Sequence, residues 1–282
     1  MLTPLRNVVC IVGIIGLTAC GQAGGPFAKK NPEKNAVNVV DATDLSDIML
    51  TVADPNEAVK YFRDSLVKDP DRLEFQRGLA ASLVRAKRAT EAIPVYKKLL
   101  KQDGATNDDR IDYAGALIRT NNWKEARKQL NLVPPTVETF KRYRLEAMVA
   151  DSQQQWKKAD SFYETAAAMT TQPSNVLNNW GYSKLTRGDY KGAEDLFLEA
   201  ISYNPDSFTP KNNLVLARGA QKNYKLPLIK MTQVERAQLL YTLGLTAVKK
   251  GDKDTGRGLF EAAIEAHPSY FETAVRSLEA LG

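Results

Sequence analysis

Few residues in this chain of 282 could perform chemistry. It contains two cysteines, Cys10 and Cys20, and a single histidine, His267. These side chains cannot supply the four cysteine and histidine ligands of a closed metal site, and two cysteines do not imply a disulfide framework. His267 precedes Pro268 at a predicted helix end, where the helix dipole favours histidine, so we interpret it as structural. No metal and no cofactor are expected.

Patterns for a nucleophile or an acid–base pair are also missing. The sequence has no GxSxG, HExxH, P-loop or GxGxxG motif. Neighbouring carboxylates, such as Asp108 with Asp109, are adjacent in sequence and therefore point in different directions on a helix. We predict that the protein is not an enzyme.

Two pairs of asparagines favour binding instead. Asn178 with Asn179, and Asn212 with Asn213, recur at a spacing of 34 residues. Asparagine carboxamides can donate to and accept from an extended peptide backbone. A repeated helical element would hold the two pairs in register.

A repeat of about 34 residues provides that element. Within residues 174–205, the positions of Gly181, Ala193, Phe197 and Pro205 match the tetratricopeptide-repeat pattern. Small residues on two successive helices let the helix axes approach closely, and Phe197 fills the space between them. With the Ala193 position as a marker, the pattern recurs along most of the chain.

The starts of the second helices follow the same period. Three residues before the marker, an aromatic residue is expected to pack the second helix onto its turn in four units, at Trp123, Trp156, Tyr190 and Tyr224. Aspartate suits an N-cap of the second helix at Asp54, Asp189 and Asp252.

The sequence therefore predicts an all-α fold, a tetratricopeptide-repeat solenoid of about seven helical hairpins plus a C-terminal capping helix, over residues 39–282. The predicted units are 39–72, 73–106, 107–139, 140–173, 174–207, 208–236 and 237–270, and the cap follows at about 270–281. Pro227 stands in the marker position of the sixth unit, where the spacing slips by five residues. We expect a short helix to begin just before Pro227, since proline is tolerated in a first turn.

Tetratricopeptide repeats line their inner surface with first-helix side chains at about positions 2, 5, 9, 12 and 13 of each repeat. Asparagine is the consensus residue at position 6, which accounts for Asn179 and Asn213 without a ligand. Transferred position by position, this resemblance places the following residues in a partner-binding groove: Arg144, Asn178, Tyr182, Asn212 and Tyr241. The mixture of arginine, asparagine and tyrosine suits a segment of another protein better than a small ion.

The N-terminus predicts a membrane anchor. Residues 8–19 form an apolar run of 12 residues, shorter than the roughly 20 that span a bilayer, so residues 1–19 are typical of a signal peptide. Leu17-Thr18-Ala19-Cys20 resembles the lipobox of bacterial lipoproteins, which implies lipidation of Cys20. An ordinary signal peptide with a chance cysteine is the alternative. Gly21 at the second mature position implies the outer membrane, and residues 20–38 form a flexible tether after the lipidated cysteine.

The net charge of +6 is interspersed along the chain, which is typical of a solvated helical surface and not of a nucleic-acid stripe. No nucleic-acid partner is expected.

The whole arrangement resembles the TadD lipoproteins of tight-adherence (Flp) pilus assembly, and the stretch most similar to them is residues 251–281. This resemblance implies a non-catalytic, outer-membrane-anchored, periplasm-facing scaffold that binds envelope proteins such as the pilus secretin. One alternative is a lipoprotein of outer-membrane protein insertion or of another secretion system. Another is an envelope enzyme that acts on peptidoglycan.

Overall fold

The computed structural model describes residues 39–282, with side chains from Leu45 onward. Residues Asp44–Gly282 form one compact unit. The described residues contain fourteen helices and no strand. The helices are α1 Val39–Thr51, α2 Pro55–Lys68, α3 Leu73–Arg85, α4 Ala89–Leu99, α5 Asn107–Arg119, α6 Trp123–Asn131, α7 Phe140–Ser152, α8 Trp156–Ala168, α9 Ser174–Thr186, α10 Tyr190–Tyr203, α11 Phe208–Ala220, α12 Gln233–Lys249, α13 Lys253–Ala266 and α14 Glu272–Glu279. The predicted all-α repeat fold is confirmed. Cys20 and the tether lie outside the described residues.

Two hairpins close around a glycine on their first helix. A Cβ atom added at Gly181 of α9 would stand 2.7 Å from Cε1 of Phe197, which is fully buried on α10. Gly244 of α12 and Phe260 of α13 repeat this relationship at 2.6 Å. The close approach predicted from the spacing of glycine and phenylalanine is confirmed.

The turns between paired helices repeat with the same period. From the second unit to the sixth, a residue with positive φ follows the first helix, at Lys87, Asn121, Gln154, Gly188 and Lys222. The next member is Gly251, five residues earlier than a period of 34 would place it, because the sixth unit is shortened. The left-handed residue lets the chain reverse direction after the helix C-terminus.

The sixth unit differs from the sequence prediction. After α11, residues 221–232 contain no helix, so the short helix expected around Pro227 is absent. Too few residues separate α11 from α12 for a helix with a turn at each end, and proline lacks the amide hydrogen of a helix interior. Instead, Leu226 and Met231 pack individually against one core cluster, and Ile229 packs against another.

An ion pair closes this shortened unit. Lys211 of α11, only 1% exposed, donates to Glu235 of α12 at 2.9 Å. Glu235 also forms a capping box with Thr232 at the start of α12. Burial alone would raise the pKa of Glu235, but the hydrogen bonds from Lys211 and Thr232 outweigh it and lower the pKa.

Two of the three aspartates expected to cap second helices do so. Asp54 accepts from the amides of Asn56 and Glu57, and Asp189 accepts from the amide of Gly192. The prediction for Asp252 is wrong, because its carboxylate accepts no backbone amide of α13. It accepts instead from the hydroxyl of Tyr224 at 2.5 Å, which ties the irregular segment to α13.

Candidate partner-binding groove

A groove of about 570 Å³ opens along the first helices of the fourth, fifth and sixth units, α7, α9 and α11. The first residues of α6 and α8 complete its wall. It is lined by Trp123, Met148, Asp151, Ser152, Trp156, Tyr163, Asn178, Asn179, Tyr182, Ser183, Thr186, Thr209 and Asn213. Two of the predicted residues, Asn178 and Tyr182, lie in this groove.

Asp151 places a carboxylate in the groove wall. It accepts hydrogen bonds from the hydroxyl of Tyr163 at 2.8 Å and from the hydroxyl of Ser183 at 2.7 Å. Burial raises the pKa of Asp151 above its ordinary value, although these two hydrogen bonds oppose the shift. The nearby guanidinium of Arg187 donates to both carboxylate oxygens of Asp160, at 2.6 and 2.8 Å. Arg187 therefore pairs with Asp160 and acts on Asp151 only through space.

Aromatic side chains form much of the remaining wall. Trp123 and Trp156 open α6 and α8, where the sequence predicts an aromatic that packs on the turn. Tyr182 projects from α9 and is 52% exposed. Since large aromatic side chains bury substantial area on binding, this wall can anchor a partner.

The predicted asparagines hold the repeats together. The carboxamide of Asn213 donates to Asn178 at 2.9 Å, which joins α11 to α9. Asn212, which the sequence groups with Asn178, instead accepts from the hydroxyl of Thr242 on α12 at 2.8 Å. Asn178 lines the groove and also accepts this hydrogen bond between repeats. Asn212 is not among the lining residues.

Arg144 lies in a second, smaller cavity of about 210 Å³ between α3, α5 and α7. This cavity also holds Arg119, Lys141 and Asp112, with Lys141 paired to Asp112. Nε of Arg144 is buried and has no hydrogen-bond partner among the described residues. Burial and the charge of Arg119 lower the pKa of Arg144. Cations outnumber carboxylates here, so the cavity is electropositive.

Both cavities share one face of α7. Arg144, Met148 and Asp151 are spaced by four and three residues, which places them on the same side of the helix. Two helical turns, or about 10 Å, separate the arginine from the aspartate. The two charges therefore give opposite ends of this face opposite sign.

Tyr241 is not brought to the groove. Its hydroxyl lies 3.1 Å from the hydroxyl of Ser277 on α14, and its ring packs against Phe260 and Phe271. The capping helix occupies the position that a following repeat would take. The structure thus places Tyr241 within the terminal packing.

Asp151 is one of the groove residues that the sequence prediction omitted. It occupies position 12 of its repeat, which belongs to the inner-surface positions of the family. Asn213 was interpreted as a consensus residue, and Trp123 and Trp156 as turn packing. The repeat position was the signal that could have identified Asp151.

Among the described residues, no group of three or more histidine, cysteine or acidic side chains could hold a metal ion. The Nδ1 atom of His267 forms hydrogen bonds with Ser269, and the imidazole ring packs against Phe271 with 4.8 Å between the ring centroids. The groove itself offers hydrogen-bonding groups, aromatic side chains and one carboxylate, which are kinds of group found in protein interfaces.

Two family models described as tetratricopeptide repeats match the sequence, one over residues 44–108 and the other over residues 83–150. The search of curated proteins found no match.

Three solved structures have a similar fold. A chain of the APC/C hetero-tetramer Cut9-Hcn1 gives a TM-score of 0.61 at 13% identity, covering 84% of this chain and 48% of that chain. The human IFIT1 dimer with m7Gppp-AAAA gives 0.57 at 15% identity, covering 84% and 61%. A tetratricopeptide repeat protein from Parabacteroides merdae gives 0.55 at 14% identity, covering 86% and 98%. The chain spans about half the length of the Cut9-Hcn1 chain that it matches. At these identities the likeness concerns the fold alone.

Proposed function

We propose that this array of helical hairpins is a non-catalytic scaffold whose groove binds a segment of another protein. The observation that carries this proposal is the wall of exposed and half-buried aromatic side chains around Tyr182 and Asp151. Such a wall combines anchoring area with a few polar groups that fix orientation, as binding grooves do. The fold supports this view because repeat arrays present extended surfaces to partners.

We further propose that the scaffold is anchored in the outer membrane and faces the periplasm. The support is sequence-based: the lipobox-like Leu17-Thr18-Ala19-Cys20 and the glycine that follows it. Two or more acyl chains on Cys20 would give stable anchoring, where one chain gives only marginal binding. No helix among the described residues is long and apolar enough to cross a membrane.

The partners we propose are envelope proteins of Flp pilus assembly, with the secretin first among them. This rests on the resemblance of the anchor, the tether and the repeat array to the TadD lipoproteins. Other envelope machines could use the same arrangement, and the choice among them depends on the protein that the groove retains.

Co-purification from detergent-solubilised envelopes tests the proposal. The groove variant is Tyr182→Ala, and the matched control is Tyr203→Ala on α10, a tyrosine that is 47% exposed and absent from the groove lining. We expect wild type and the control to retain a pilus or secretin component that the groove variant loses. Recovery of a component of another secretion system would contradict the pilus assignment and identify that system as the source of the partner. Equal recovery by all three proteins would contradict groove binding.

A further inference from the structure

The groove contains a carboxylate that has no cation of its own. The oxygens of Asp151 accept from two hydroxyls, those of Tyr163 and Ser183. Among the described residues no lysine, arginine or histidine forms a salt bridge with Asp151. Arg187, the cation that acts on it through space, donates both of its short bonds to Asp160. Hydroxyls solvate the charge of Asp151 but do not neutralise it.

Aromatic side chains line the same groove as this carboxylate. Trp123, Trp156 and Tyr182 line the groove together with Asp151. Faces of tryptophan and tyrosine attract cations, most strongly where water is excluded. One of these rings already contacts a cation, since the Arg187 guanidinium lies 5.6 Å from the centroid of the Trp156 ring.

We infer that the partner segment places a lysine or arginine side chain in this groove, against Asp151 and between the tryptophans and Tyr182. This inference rests on the proposed function and specifies the chemistry of the partner. The occupant is a basic side chain of an extended protein segment, with its methylene stem on the aromatic wall and its charged group at the carboxylate.

The free-energy cost of removing water from the Asp151 carboxylate favours a basic side chain over a neutral or an acidic one. A neutral apolar segment would exclude water from a charged carboxylate and return no counter-ion, which is unfavourable. An acidic segment would add repulsion between like charges. A basic side chain removes both penalties, because its own desolvation is offset by the ion pair and by the aromatic faces.

The groove is also large enough for such an occupant. At about 570 Å³ it accommodates a long side chain and adjoining backbone. The carboxamides of Asn178 and Asn179 line it beside the aromatic wall, where they can contact peptide groups. Its shape and polarity therefore suit a basic residue within an extended peptide.

Nuclear magnetic resonance tests this inference on the purified chain. The probes are blocked Gly-X-Gly tripeptides in which X is lysine, arginine, norleucine or glutamate. The readout is the indole N–H signals of Trp123 and Trp156, assigned with Trp→Phe variants. We expect saturable shifts with lysine and arginine and none with norleucine, whose side chain has the lysine length without its charge.

Two substitutions locate the cation. Asp151→Asn preserves hydrogen bonding to Tyr163 and Ser183 but removes the charge, so we expect affinity for the lysine peptide to fall about tenfold or more. Asp195→Asn, which removes a carboxylate exposed on α10, should change it less than about twofold. Tyr182→Ala provides a second groove variant in case Asp151→Asn fails to fold. It should also weaken binding of the lysine peptide.

Equal binding of norleucine and lysine, preference for glutamate, or unchanged affinity in Asp151→Asn would overturn the inference. These outcomes leave the proposed function standing if envelope proteins still depend on Tyr182 for co-purification. Loss of that dependence would contradict the proposed function itself, so the two failures are distinguishable.

Discussion

The carboxamide of Asn213 donates a hydrogen bond to the carboxamide oxygen of Asn178 across the boundary between two repeats, with 2.9 Å between the atoms. The pair is 35 residues apart in sequence. One repeat later, Thr242 donates to Asn212 at a separation of 30 residues. The difference of five residues equals the slip of the repeat at the shortened sixth unit. The same inter-repeat bond is thus kept across the irregular joint.

The bond between Asn178 and Asn213 should be measurable as a coupling energy. We expect Asn178→Ala and Asn213→Ala each to lower the free energy of unfolding by about 1 kcal/mol, since each removes one half-buried hydrogen bond. The double variant should lose less than the sum, with a coupling of about 0.5–1.5 kcal/mol. Urea denaturation of the four proteins measures it. Strict additivity would show that the bond contributes nothing to stability.

Gly181 should not tolerate a larger residue, because Phe197 occupies the space that a Cβ atom would need. We expect Gly181→Ala to destabilise the protein by about 1–3 kcal/mol, the usual range for overpacking. The matched control is Gly258→Ala in α13, where a Cβ atom meets nothing within 4 Å. There we expect a gain of about 0.5–1 kcal/mol, because alanine is the better helix former. Equal melting temperatures for the two variants would refute the close-packing argument.

Asp151 should make stability depend on pH in a direction unusual for aspartate. Its raised pKa means that the folded protein binds this proton more tightly than the unfolded chain does. The residue therefore favours folding below the ordinary aspartate pKa of about 3.9, and that contribution is lost as pH rises through the raised value. The groups that act on it are Ser183, Tyr163, Arg187 and Asp160.

Asp151→Asn removes this titration. We expect the melting temperature of the variant minus that of wild type to increase from about pH 4 to about pH 7. At neutral pH the variant should melt at the same temperature as wild type or at a higher one. Calorimetry at several pH values measures the difference, and Asp195→Asn should show no such trend. A variant that becomes steadily less stable than wild type toward neutral pH would contradict the assigned burial.

Cys20 should decide membrane association. We expect Cys20→Ser to release the protein from membranes, or to leave an unprocessed precursor, because the proposed acyl chains would attach through this sulfur and the new amine. Fractionation with and without the substitution measures it, and wild type should partition into the detergent phase. Processed protein that stays in the membrane without Cys20 would show that the lipobox interpretation is wrong.

The sequence predicted the hairpins because their packing depends on local spacing. Gly181 and Phe197 lie on adjacent helices, so a fixed separation along the chain becomes a contact. The structure around Pro227 was harder to predict, because this segment packs through individual side chains such as Ile229 that follow no repeat spacing. The helix expected there is absent.

The groove residues could be predicted only in part from the sequence, because contacts between repeats decide which side chains stay open. Tyr241 occupies a groove position of its repeat, yet α14 covers it, because the array of repeats gives way to the capping helix there. Asp151 joins the groove wall through Tyr163 of its own repeat and Ser183 of the next. Repeat position alone does not show which neighbour will cover a side chain and which will leave it open.

Site-specific photocrosslinking tests the groove most directly. p-Benzoylphenylalanine is introduced in place of Tyr182 in the groove and, as a control, in place of Tyr203 outside it, and cells are irradiated before their envelopes are analysed. We predict a discrete adduct with an envelope protein at the first position and none at the second. No adduct at the Tyr182 position, or the same adducts at both positions, would contradict a partner-binding groove.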